Sequence, residues 1–207
     1  MKRIFCLFVL GILVSSAVCF AAGNELKFTP YYIIPGDDDN WDSAIGIEVQ
    51  YVIWSQPNFG IALAGGIGSW EANEDIEIDY DLGIAGKVEG SAMTFPLGAS
   101  VLLRPFEGGT ADISFEGGLR YVFVSSDVDG TVTDGADTLK DTIDIDDGLI
   151  GLIAGNVAYP ISPTMNLGFG AGYQFDISKG SAEWYGFDLG DNEMKGFFLR
   201  LGFNVKM

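Results

Sequence analysis

The chain has 207 residues, eleven basic and twenty-nine acidic side chains and no histidine, for a formal net charge of −18 at pH 7. So acidic a protein is unsuited to nucleic acid, whose phosphates demand Lys and Arg, and the missing imidazole removes the usual general base, the Ser-His-Asp arrangement and the commonest transition-metal ligand. Hydrophobic residues nevertheless make up 48% of the chain and the mean hydropathy is +0.25, so the apolar and acidic characters must be segregated.

The first residues set the compartment. Lys2 and Arg3 precede an apolar run from Ile4 to Val18, followed by Cys19, Phe20 and the small residues Ala21, Ala22 and Gly23. This is the pattern of a secretory leader, residues 1–21, with residues 22–207 as one exported domain. An uncleaved anchor would need a run of about twenty apolar residues, and Cys19 is a poor match to a lipidated cysteine. Both cysteines, Cys6 and Cys19, fall in the leader, so the exported chain carries no thiol, disulfide or thiolate metal site. Neither a cofactor nor an enzymatic activity is expected, and no catalytic or metal-binding residue is singled out.

Eight stretches then alternate apolar and polar or small residues, the period of β-strands. The first runs from Glu25 to Ile34. The second, Ala44 to Trp54, aligns Ile45, Ile47, Val49, Tyr51 and Ile53; the third, Phe59 to Trp70, aligns Phe59, Ile61, Leu63 and Ile67. The fourth, Ser91 to Arg104, places Met93, Phe95, Leu97, Ala99, Val101 and Leu103 together, and the fifth, Ala111 to Val124, does so with Ile113, Phe115, Leu119, Tyr121 and Phe123. In the sixth, Gly148 to Tyr159, Ile150 and Leu152 break the alternation. The seventh spans Met165 to Asp176, and the eighth occupies the final GFFLRLGFNVKM.

The connections alternate too. Three are short and rich in Pro, Gly and Asn: Ser55 to Asn58, Pro105 to Thr110 and Pro160 to Thr164. Four are longer: Pro35 to Ser43, Glu71 to Gly90, Ser125 to Asp147 and Ile177 to Met194, and they hold most of the carboxylates. Short turns at one end and long acidic loops at the other predict an all-β, eight-stranded antiparallel up-and-down barrel crossing a membrane, with the acidic rim outside. The large apolar face must then meet lipid. The opposite face carries Gly60, Ala62, Ala64, Gly66 and Gly68 on the third strand, too small for a solvated surface but suited to a narrow interior.

That interior face also carries charge. Glu48, Gln50, Asp112, Glu116, Arg120, Arg200, Asn204 and Lys206 all project inward, and opposite charges at low dielectric must pair. The expectation is a network of Glu48, Glu116, Arg120 and Arg200 that fills the centre, with Asp112, Arg104 and Lys206 nearer the mouth at the termini. Structural filling is favoured over a gate or proton path. Trp54, Phe59, Tyr159 and Phe203 at one end, and Trp70, Tyr121, Phe123, Tyr173 and Phe175 at the other, read as interfacial girdles.

The leader, the eight alternating segments, the asymmetric connections and the terminal strand together resemble the small outer-membrane proteins of Gram-negative bacteria, the OmpA-, OmpX- and OmpW-like barrels. The resemblance covers essentially the whole exported chain but rests on architecture alone. It departs at Met207, where such proteins usually end in Phe, and at Pro30, which removes a ladder donor in a strand paired on both sides. It implies outer-membrane lipid, lipopolysaccharide and the barrel-assembly machinery as partners, and a structural or surface-interaction role. The alternatives are a narrow channel or conduit for small or hydrophobic compounds and a secreted soluble barrel carrying an apolar ligand. Asp37-Asp38-Asp39 and Asp144-Ile145-Asp146-Asp147-Gly148 look like fragments of calcium loops without the spaced ligands of an EF-hand. They read as solvated loops, with weak divalent-cation binding as the alternative.

Overall fold

A computed structural model describes residues 23–36, 41–72, 85–106, 110–134, 137–185 and 187–207. The proposed leader and the Asp37-Asp38-Asp39 run lie outside them. The described residues form eleven strands: β1 (Glu25–Pro35), β2 (Trp41–Gln56), β3 (Phe59–Ala72), β4 (Ala85–Phe106), β5 (Asp112–Asp134), β6 (Asp137–Ile145), β7 (Gly148–Pro160), β8 (Met165–Ser178), β9 (Gly180–Trp184), β10 (Phe187–Asn192) and β11 (Gly196–Lys206).

Eight of them close on themselves. The order β5-β4-β3-β2-β1-β11-β8-β7 is sealed by pairing of β7 with β5, every junction antiparallel. Closure leaves no sheet edge in this tier. The ladder is interrupted beside both prolines within the wall: at Pro96 the β3–β4 register passes from Gly65↔Leu97 to Gly68↔Thr94, and at Pro30 the gap falls on one side of β1. The β1–β2 register continues through Thr29↔Glu48 and Pro30↔Ile47, whereas the β1–β11 register passes from Phe28↔Phe203 to Tyr31↔Arg200. The missing donor of Pro30 is thus absorbed as a local gap in a single seam.

Two of the segments expected as long loops are largely strand. β5 continues nine residues beyond Ser125 to Asp134, pairing with β7 as far as Val122↔Gly148 and then with β6 from Val128↔Ile143. β9 and β10 form a hairpin within the expected 177–194 loop, and β6 joins β9 through Asp144↔Glu183 and Ile145↔Ala182. The upper parts of β4 and β5 with β6, β9 and β10 make a second tier above the barrel wall.

The reason these segments escaped a strand reading is that their alternation inverts. In the lower tier β5 turns Ile113, Phe115, Leu119 and Tyr121 outward, each at least 38% exposed, and buries Ser114, Glu116 and Arg120. Above Phe123 the same strand turns Asp127 and Asp129 outward and buries Val128. Ile150 and Leu152 on β7 are inward residues of the same apolar upper region, which is why they disturb the lower pattern.

The interior is therefore layered. Near the loop end Ile33, Trp41, Trp70, Ala92, Val128, Ile143, Ile150, Leu152, Trp184, Met194 and Phe198 pack together. At the termini end Val52, Ala62 and Leu102 form a second cluster with Trp54 against it. Trp54 and Trp70, expected in girdles, instead face the lumen. Trp70 is 3% exposed, and Trp54 lies over Gly60, where a Cβ would meet its ring at 2.8 Å. Small residues on β3 make room for indoles within the barrel.

Candidate functional site

Between the two apolar layers the lumen is crossed by charged side chains. Arg120 on β5 is 1% exposed and is the largest fully buried side chain among the described residues. Its Nε donates to Glu48 Oε2 at 2.7 Å, and its Nη2 reaches Glu48 Oε1 and Glu116 Oε1, each at 3.4 Å. Nη1 donates to Ser100 Oγ at 3.0 Å and to the carbonyls of Ala99 and Leu119. The contacts of this one guanidinium fork pin β5 to β2 and β4, a geometry for which Arg is better suited than Lys.

Glu116 is the second hub. Besides Arg120, it accepts from Gln50 Nε2 at 2.9 Å, from Ser100 Oγ at 2.8 Å and from Arg200 Nη2 on β11. Arg200 also donates from Nε to Asn156 Oδ1 at 2.9 Å. Gln50 bridges the two carboxylates by donating to Glu48 Oε1 at 2.7 Å as well. Glu48, Glu116, Arg120 and Arg200 thus meet in one cluster, although Arg200 touches only Glu116 of the two acids. An alternating acid–base chain of this kind offsets the desolvation of each member, and removal of one member strands the others.

Of the other inward residues expected, Arg104 lies toward the termini, pairing with Glu25 at 3.0 Å and stacking 3.9 Å over Trp54. Lys206 is exposed at the end of β11 and Asp112 is half-buried. Glu25 and Lys27 are lumen residues that sequence reasoning passed over, although both are buried. Their signal was available: they share the parity of Thr29, Tyr31 and Ile33, but β1 has apolar residues on both faces and Pro30 in its middle.

Above the network, Tyr31 lies over two glycines. A Cβ on Gly46 or on Gly68 would overlap its hydroxyl. A cavity of about 60 Å³ opens here, with Arg120, Glu48 and Thr94 as its polar floor and Leu152, Met194 and Phe198 as its apolar roof. The roof is held by Trp41, whose ring meets Trp70 edge-on at 6.0 Å and whose Nε1 donates to Asn192 Oδ1 at 2.9 Å.

Outside the barrel the second tier is tied by carboxylates. Asp147 Oδ1 accepts the Val124 amide at 2.9 Å, and its Oδ2 accepts the Tyr121 hydroxyl at 3.2 Å, at the point where β5 changes partner. Asp146 accepts from Ser181 Oγ at 2.6 Å. Lys140 pairs with Asp129 at 2.8 Å, and Lys179 with Asp191 at 3.2 Å and with Glu193, which Lys195 also contacts. The hydrogen bond from Lys140 holds Asp129 below the ordinary carboxylate range, and those from Lys179 and then Lys195 do the same for Glu193.

No protein-family model matches the chain, and no curated protein matches it. Solved structures do. A major outer membrane protein from Thermus thermophilus aligns with 91% of this chain and all of its own, at 16% identity and a TM-score of 0.56. Outer membrane protein AlkL in lipid bilayers aligns over 90% of each chain at 14% identity and 0.52, and outer membrane protein W of E. coli over 90% and 98% at 11% and 0.51. The chain therefore has the fold of the small eight-stranded outer-membrane barrels.

Proposed function

We propose that the protein is an integral outer-membrane barrel with a structural or surface-interaction role, its lumen closed and its acidic tier facing outward. The observation that carries this is the belt of exposed large apolar side chains on all eight barrel strands. It includes Phe28, Ile47, Ile61, Phe95, Leu119, Ile153, Phe169 and Leu199, each between 40% and 58% exposed except Phe28 at 39%. A water-soluble surface does not carry so continuous an apolar band, whereas a barrel in lipid requires one. A carrier with an apolar cavity would have the opposite polarity. The asymmetry of the connections supports an orientation with the termini on the periplasmic side and the second tier outside.

Migration of the folded protein on a denaturing gel before and after boiling, with fractionation of expressing cells, tests the membrane assignment. A heat-dependent shift and outer-membrane recovery are expected; a soluble protein without a shift refutes it. The charged network and the apolar roof favour a closed lumen, so a planar bilayer should show no stepwise conductance. A narrow conduit is the second reading, favoured by the cavity beneath the roof. It predicts conductance or ligand uptake that changes on Arg120→Ala.

A further inference from the structure

The second tier carries Asp127, Asp129, Asp144 and Glu183 on its surface, yet among them Leu139, Tyr185 and Leu189 are 58%, 52% and 38% exposed. On the proposed orientation these three lie above the lipid and meet water, so covering them is favourable. Leu189 sits at the bulge where the β9–β10 register steps from Asp188 to Gly190, and a bulge re-aims the side chain it carries.

Tyr185 sits against the local rules of its turn. It opens the connection of the β9–β10 hairpin, directly after the Trp184↔Phe187 pair, at a φ of 51°. Such a position favours Asn, Asp or Gly, and a bulky residue there is strained. The ring is nevertheless held in place: it meets Trp184 edge-on at 5.0 Å, and its hydroxyl donates to the Lys140 carbonyl at 3.3 Å, beside Leu139. Strain kept at an exposed aromatic points to use by a partner, and a ring fixed in advance loses little entropy when one covers it.

The charge around the ring sets the partner's sign. Glu183 lies opposite Asp144 across the β6–β9 seam and opposite Asp188 across the β9–β10 seam, and like charges directly opposite destabilise a sheet. The lysines close by are committed elsewhere, Lys140 to Asp129 and Lys179 to Asp191 and Glu193.

We infer that this outer hairpin docks an extended cationic polypeptide segment, with an apolar or aromatic side chain against Tyr185 and Leu139 and a Lys or Arg beside Glu183 and Asp144. From Lys140 to Asp144 the strand runs about 13 Å, the reach of an equally short stretch of extended partner. A lone cation would meet the carboxylates and leave the apolar side chains in water; a neutral peptide would do the reverse. The inference rests on the surface-interaction reading above and gives that partner its chemistry.

Fluorescence anisotropy of a short labelled peptide of alternating Lys and Tyr, titrated with the folded chain in discs of zwitterionic phospholipid, tests it. Saturable binding that empty discs do not show is expected, weakening as salt is raised, and the same peptide with Glu for Lys should not bind. Tyr185→Asn, which suits the turn and so keeps the fold, should weaken binding by about tenfold or more, the scale of one interface anchor. Glu183→Gln combined with Asp144→Asn should weaken it by about threefold and flatten the salt dependence, whereas Asp112→Asn, toward the termini, should change nothing. Binding no greater than to empty discs, or binding unchanged by Tyr185→Asn, overturns the inference. So does a wild-type dimer that Tyr185→Asn makes monomeric, since the patch would then hold a second copy. The heat-dependent gel shift is read on the same sample, so a folded barrel that ignores the peptide refutes the partner and leaves the membrane assignment standing.

Discussion

Replacing Arg120 by Met keeps much of the volume of the side chain and deletes its charge. Glu48 then retains only the Gln50 amide, while Glu116 keeps Arg200, Ser100 and Gln50. The damage therefore falls chiefly on Glu48, 8% exposed and left without a counter-charge. Breaking a buried pair from one side costs about 3–5 kcal/mol, and the carbonyls of Ala99 and Leu119 lose a donor as well. Restoring charge balance by Glu48→Gln in the same chain should return about half of that loss or more, because an amide satisfies the site at lower desolvation cost. The cycle of wild type, two single variants and the double variant reads the coupling directly. The assay is reversible urea unfolding from phospholipid vesicles, followed by the fluorescence of Trp41, Trp54, Trp70 and Trp184. Coupling below about 0.5 kcal/mol, the ordinary limit of additivity, would show that the two side chains do not act as a pair.

Three further outcomes follow from the same geometry. Leu119→Arg, on the outward face of the belt, should cost about 2–4 kcal/mol in vesicles, whereas Asp127→Arg, further along the same strand, should stay within about 0.5 kcal/mol; equal costs would dismiss the assigned boundary. Because Glu193 is held below its ordinary range by Lys179 first and then Lys195, its contribution to the hairpin is present above the unfolded carboxyl's titration and lost as pH falls through the folded one. Carbon-13 titration of the carboxyl should show Lys179→Gln moving Glu193 upward, and no movement would remove that cause. Asp147→Ala should lower hydrogen-exchange protection of the Val124 amide by roughly fivefold, since a hydrogen bond of about 1 kcal/mol is lost; unchanged protection would mean that the carboxylate does not secure the strand branch.

How much was legible depended on whether one rule governed a segment throughout. In the lower tier each strand has a lipid-type face and a small or polar face, so a period of two located all eight barrel strands, and the inward parity of Glu48, Glu116, Arg120 and Arg200 could be read directly. The actual ion pairs required the third dimension: Arg120 and Glu48 are 72 residues apart and meet only because the barrel is narrow. β6, β9 and β10 were missed because an apolar-outward strand was the template and these have the opposite polarity. Lys27 was missed for a different reason. Pro30 and the apolar residues on both faces of β1 blurred its parity, so a buried lumen cation without an ionic partner among the described residues lay in the least readable strand.

The inversion along β5 links the sequence to the bilayer. A strand in a closed sheet has both edges hydrogen-bonded, so the identity of its outward residues is decided by the solvent they meet and not by pairing. β5 keeps one partner, β4, from Ile113 to Thr133, yet its outward residues change from Leu119, Tyr121 and Phe123 to Asp127 and Asp129 while its inward ones change from Glu116 and Arg120 to Val122 and Val128. Pairing with β4 runs unbroken through the change, while the other edge of β5 passes from β7 to β6 over the same residues. On the proposed membrane placement the surrounding medium changes there, from hydrocarbon to water between Phe123 and Asp127, and the interior changes with it. Below that level an inward charge is compensated by partners across a narrow lumen; above it the tier has water outside, and apolar packing of Val128, Ile143 and Trp184 within stabilises it as in any soluble sheet. The acidic exterior of the second tier and the charged core of the first are thus two answers to one constraint, since each tier must present to its surroundings the polarity that those surroundings solvate.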